Sequence, residues 1–133
     1  MAGKLFKLKI ISPDRVFYEG DVNMLEFTSS EGEMGVYADH IPLTTILMPG
    51  IMTIHEPDGI KKAALHSGFA EILQNEVTIL AEVAEWPEEI DINRANEARI
   101  RAERRLSTKD ENINYMRAEL ALKRSLTRIK LLS

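Results

Sequence analysis

The residues in this chain with the most chemical reach are arginines. The stretch EEIDINRANEARIRAERR, Glu88 to Arg105, holds an acidic pair, then Asp91, then arginines at 94, 99, 101, 104 and 105. A second run, RAELALKRSLTRIK, adds Arg117, Lys123, Arg124, Arg128 and Lys130. A guanidinium is a planar fork that takes two phosphate oxygens at once, so arginines gathered with few carboxylates among them suit a polyphosphate. The competing reading is a solvated helix face laced with i,i+4 ion pairs, for which Glu97–Arg101 and Glu119–Lys123 have the spacing. On that reading Asp91 is only a helix cap.

Other chemistries find less support. Hydrolysis by Glu85, Glu88, Glu89 or Asp91 needs a nucleophile or activated water, and no histidine, serine or metal-ligand cluster stands at useful spacing from them. There is no Walker-type glycine loop and no dinucleotide-binding fingerprint, so a nucleotide site here must be built from side chains. A basic module for nucleic acid is the alternative function. Against it, Tyr115 is the only aromatic platform on the basic segment, and the rest of the chain would repel a polyanion.

The net charge of −4 hides a division. Residues 1–90 hold 6 Lys+Arg against 15 Asp+Glu, whereas residues 91–133 hold 11 against 6, which marks two units with different partners. The length of 133 residues suits one domain, or a small domain with an appendage. No apolar run reaches the roughly 18 residues that a spanning helix needs. With no cysteine and no export signal in MAGKLFKLKIIS, a cytosol-facing location is expected.

The elements that position the arginines change character at Trp86-Pro87. Before it, period-2 runs such as KLFKLKIIS and NEVTILAEVAE alternate with turn signals, among them Asp58-Gly59 between strand-like runs. Residues 1–86 are therefore expected to form an antiparallel sandwich or barrel. After it, residues 87–133 read as a two-helix hairpin. Asp91 caps a first helix with Ile92, Ala95, Ala98, Ala102 and Leu106 on one face. Thr108-x-x-Glu111 is a capping-box signal for a second helix carrying Tyr115, Ala118, Leu122, Leu126 and Ile129. A turn near residue 109 sets Arg94 level with Arg124 and Asp91 near Arg128, so the arginines of both helices can converge. The alanine-rich stripe buries little area, so the hairpin should be weakly held. His55 and His66 read as structural or simply exposed, and Met24, Met34, Met48 and Met52 as core or interface filler.

Over essentially its whole length the chain resembles the epsilon subunits of bacterial F-type ATP synthases. The likeness rests on SPDRVFYEGDV, SSEGEMGVYADHIPLTTIL, GFAEILQNEVTILAEVAE and the helical segment. It implies a sandwich of about ten strands followed by an antiparallel helical hairpin, in a non-catalytic rotor part of the central stalk. The implied location is the cytoplasmic face of the bacterial membrane. Implied partners are the gamma subunit, the c-ring, and the alpha/beta catalytic head, which the extended helices reach to block ATP hydrolysis. In some bacilli the compact hairpin binds ATP, not turned over, at an I/L-D-x-x-R-A motif, matched here by Ile90, Asp91, Arg94 and Ala95. The resemblance assigns Arg94, Arg101, Arg124 and Arg128 to the phosphates, and Asp91 with Glu85 to adenine or ribose. Ile90 and Ala95 would touch the base, and no metal site is implied. Glu33 and His40 are the implied c-ring contacts. The family commonly has Pro-Gly where this chain has Ala38-Asp39, and Gly-Gly where Ser67 stands.

Overall fold

The computed structural model describes residues 3–133. Strict alternation makes β1 (Phe6–Ser12) bury Phe6, Leu8 and Ile10 while Lys7 stays exposed. The other strands are β2 (Arg15–Val22), β3 (Met24–Ser29), β4 (Gly32–Tyr37), β5 (Leu43–Leu47), β6 (Gly50–Glu56), β7 (Gly59–Ile72) and β8 (Glu76–Glu85), with alternation clear in β3 and interrupted in β2 and β7. Their order is β2-β1-β8-β7-β5-β3-β4, with β6 pairing both β3 and β7. All pairs are antiparallel except β1 with β8. Leu8, Ile10, Leu25, Ile54, Ile72 and Ile79 meet, fully buried, in the sandwich core.

Eight strands stand where the resemblance implies about ten. One reason is β7, a single 14-residue strand that serves both layers. It pairs β6 through Leu65 and β5 from Gly68 onward, while β8 accompanies it on the other edge from Ala64 to Ile72 and so spans the change of partner. The chain turns this corner at Ser67 (φ 53°) and Gly68 (φ 133°). A Cβ on Gly68 would lie 2.0 Å from the Leu80 carbonyl oxygen, so only glycine fits there. Asp39, where the family pattern has glycine, also takes a positive φ of 64°. The β6–β7 hairpin forms as expected, but Glu56 pairs with Gly59, so Pro57 and Asp58 make the turn. Proline, locked at negative φ, sets that turn one residue early, and neither Asp58 nor Gly59 uses positive φ.

Past Trp86, a short 3-10 turn (Pro87–Glu89) leads to α1 (Ile92–Ser107), whose first amides at Asn93 and Arg94 donate to the Asp91 side chain. The second helix does not start at Thr108. That residue ends α1, its hydroxyl donating to the Arg104 carbonyl. Local bonds of Asp110 to the Asn112 amide and of Asn114 to the Arg117 amide hold the intervening turn, so α2 runs Tyr115–Leu131 with Asn114 as its cap. α1 and α2 pack on each other, and α2 lies against β6 and β7. The buried residues of the two helices are Ala95, Ala102, Ala118, Ser125 and Thr127, of which Thr127 lies toward Gly50 and Ile51 of β6. The Ser125 and Thr127 hydroxyls donate to their own helix, at the Leu122 and Lys123 carbonyls, both at 2.8 Å.

Candidate functional site

Where the end of β8 meets the root of the hairpin, a cleft of about 480 Å³ opens. Its walls include Glu85, Ile90, Asp91, Arg94, Ala95, Arg101 and Arg128. The turn between the helices explains this convergence. It spans residues 108–114 and not a point near 109, so Arg94 and Arg128 stand equally far from the helix ends that flank it. The shift of about one helical turn brings Arg128, and not Arg124, level with Arg94. Arg124 does not line the cleft. Its nearest anion is Glu82 at 3.6 Å, and its buried Nε has no hydrogen-bond partner.

Four carboxylates also line the cleft, Glu85, Glu89, Asp91 and Glu97, against three arginines. Three of the four are already engaged. Glu89 accepts from Arg15 (2.8 Å) and from the Trp86 amide (2.9 Å). Asp91 Oδ1 accepts from the amides of Asn93 (2.9 Å) and Arg94 (3.2 Å). Glu85 Oε1 accepts from Arg128 Nε (2.7 Å) and His66 Nε2 (3.0 Å). By contrast, among the described residues Arg94 and Arg101 form no ion pair. The i,i+4 pairs of the solvated-face reading, Glu97–Arg101 and Glu119–Lys123, do not form, whereas Arg99–Glu103 does. Two free guanidiniums, a third shared with Glu85, and an apolar wall of Ile90, Ala95 and Ala98 fit a ligand that is anionic at one end and flat and apolar at the other. The volume lies within the roughly 300–1,000 Å³ of small-molecule sites.

The electrostatics sit on Glu85 and His66. Burial pushes the Glu85 carboxyl up, but the hydrogen bonds from His66 and Arg128 outweigh it and hold its pKa below the usual value. Burial lowers the His66 ring's pKa, the bond to Glu85 offsets part of this, and the Arg128 and Arg124 cations lower it further. At pH 7 a neutral imidazole therefore donates to an ionised carboxylate. Sequence reasoning passed over His66. The available signal was the unbroken run KAALHSG: Ala63 through His66 are all buried, because this part of β7 is covered by the core on one side and α2 on the other.

Glu33 and His40 are not brought together. Glu33, second in β4, borders the seam beneath Lys123, Leu126 and Lys130, whereas His40 follows the far end of that strand, its Nδ1 2.8 Å from the Ile41 carbonyl oxygen. On the outer face of the sandwich, strand register aligns Ile11, Leu80, Phe69 and Ile46 in one cross-strand row. The last three are exposed. Among the described residues no helix is long and apolar enough to cross a membrane, and no group of acidic or histidine side chains is placed to hold a metal.

Comparison with known proteins agrees with this architecture. Residues 5–87 match the family described as ATP synthase, Delta/Epsilon chain, beta-sandwich domain, and residues 88–133 the corresponding long alpha-helix domain. The ATP synthase epsilon chain of Caldanaerobacter subterraneus is 47% identical over 131 residues, 98% of this chain and 95% of that one. The epsilon chain of Halalkalibacterium halodurans is 42% identical over 92% of each. Among solved structures, a chain of the Euglena gracilis mitochondrial ATP synthase (OSCP/F1/c-ring) superposes with a TM-score of 0.82 at 26% identity, over 92% of this chain and 78% of that one. A β-sandwich carrying an antiparallel helical pair, matched along both parts to these relatives, places the chain in the ATP synthase delta/epsilon family as an epsilon chain of the bacterial F-type enzyme.

Proposed function

We propose that this epsilon chain is a non-catalytic rotor subunit of the central stalk whose compact hairpin binds ATP as a regulatory ligand. The observation that carries the reading is the pair of unpartnered guanidiniums, Arg94 and Arg101, facing one cleft with Arg128. The triphosphate would take these three forks, Asp91 and Glu85 would accept from adenine or ribose, and Ile90 with Ala95 would contact the base. Because the cleft exists only while α1 and α2 are folded together against the sandwich, ATP stabilises the compact form by RT ln(1 + [L]/Kd), about 2.7 kcal/mol at a hundredfold excess over Kd. Without ATP the helices extend toward the alpha/beta head and block hydrolysis. The exposed row Leu80–Phe69–Ile46 supports docking of the gamma subunit on the sandwich, with the c-ring meeting its loops.

Calorimetric titration with ATP tests the clamp. Arg94→Ala is expected to abolish saturable binding, and unchanged affinity in that variant would remove the reading.

A further inference from the structure

One oxygen of Glu85 serves two donors. Its Oε1 accepts from Arg128 Nε, on the cleft wall, and from His66 Nε2, behind it on β7. The His66 ring has 0% exposure, and its Nδ1 has no hydrogen-bond partner. The charged groups acting on the ring are Glu85 from β8 and Arg128 and Arg124 from α2. β6 begins with Gly50 opposite Leu65, β5 ends with Leu47 opposite Gly68, and β8 sets Val83 opposite His66 itself; none of the three carries a charge. A neutral ring that donates from Nε2 leaves Nδ1 a bare acceptor. Nδ1 can take a proton, but no acceptor faces it, so only the Glu85 carboxylate at Nε2 can balance the resulting charge.

We propose that His66 is a positioning residue of this cleft, which takes up a proton when an anionic ligand draws Arg128 off Glu85, so that ligand binding is proton-linked. The inference rests on the ATP reading above and adds its pH regulation. When the Arg128 fork turns to phosphate oxygens, Glu85 keeps its charge and loses its counterion. Protonation of His66 at Nδ1 replaces that cation in place, with Nε2–H still donating to Oε1. One solvent proton is consumed for each ligand bound, over the pH range in which the ring is neutral before binding and charged after. Both changes act in the same direction, since a repelling cation has left the ring and the carboxylate facing it no longer has another cation beside it. His66 touches no part of the ligand and acts through Glu85 alone.

Two measurements on the full chain decide the matter. The first is calorimetric titration with ATP between pH 6 and 8, in buffers of different ionisation enthalpy. It should show proton uptake, and affinity that weakens as pH rises by no more than about tenfold per unit. In His66→Gln, whose amide can still donate to Glu85, affinity at pH 8 should match the parent chain and the pH dependence should vanish. The second is an NMR titration of the His66 ring in the unmodified chain, which needs no variant to fold. Its pKa should rise when ATP is present. Binding without proton uptake, uptake that survives His66→Gln, or a ring pKa unmoved by ATP would each overturn the proposal alone. Absence of ATP binding at every pH would instead sink the nucleotide reading, and this proposal with it.

Discussion

The two parts of the molecule are held by different kinds of contact. The sandwich buries large aliphatic side chains completely, Leu8, Ile10, Leu25, Ile54, Leu65, Ile72 and Ile79 among them. The helices bury alanine, serine and threonine, and among the described residues no larger side chain of theirs is fully covered. At about 25 cal/mol per Å² of apolar area, a buried leucine or isoleucine contributes about 1.5–3 kcal/mol and an alanine methyl far less. What ties the hairpin down is polar and lies at its root: Arg128–Glu85, Arg124–Glu82 and Arg15–Glu89, beside Trp86 stacked on Phe17 at 4.2 Å. The contrast suggests a division of labour, in which one part keeps its shape and the other can leave it.

The largest expected effect tests the first half of that contrast. Ile54→Ala should cost about 2–5 kcal/mol in chemical denaturation, because a fully buried isoleucine leaves a cavity. Were the loss below 1 kcal/mol, the sandwich would not be the stable partner. Next in size, Ala102→Leu overfills the helix interface and should open the hairpin by about 1–3 kcal/mol. Hydrogen exchange should quicken in α1 and α2 and stay unchanged in β1 and β8; exchange that quickens in both parts together would mean that they unfold as one.

Acid should sharpen the same boundary. The His66 pKa is lowered in the folded chain, so below the ordinary histidine range the unfolded chain binds more protons and stability falls with pH. Glu85, also lowered, contributes stability that is present above the ordinary carboxylate value and is lost as pH drops through its folded pKa. Hairpin docking, followed by exchange in α2, should therefore weaken in two steps on acidification, the first of them absent in His66→Gln. A smaller effect belongs to the corner of β7. Ser67→Gly relieves a left-handed backbone and should raise sandwich stability by up to about 1 kcal/mol, leaving hairpin exchange untouched. Asp39→Gly, which also forfeits the exposed pair with Lys4, should change it by less.

Much of the fold was legible because strand alternation and helix capping are local. The runs around Leu8 and Ile79, the Trp86-Pro87 boundary and the Asp91 cap all follow from neighbours in sequence. The turn between the helices was harder. Thr108 and Asn114 carry equally good capping side chains, and the bond within Asp110–Asn112 favours the later start. That difference of about one helical turn decides which arginine faces Arg94. Strand count depended on whether a bend at Ser67-Gly68 interrupts β7, and there the backbone bends with Ser67 itself unpaired but with the register against β8 the same on either side. His66 was hidden for another reason. Its partners, Glu85 and Arg128, lie 19 and 62 positions away and meet it only through tertiary contact.

The hydroxyls of Ser125 and Thr127 satisfy themselves within their own coil. Were α2 to lift away from the strands beneath it, those two groups would travel with their acceptors and leave no widowed donor on either surface. Separation would therefore break no hydrogen bond of these two hydroxyls along the seam, whereas at its charged end it would have to part Arg128 from Glu85.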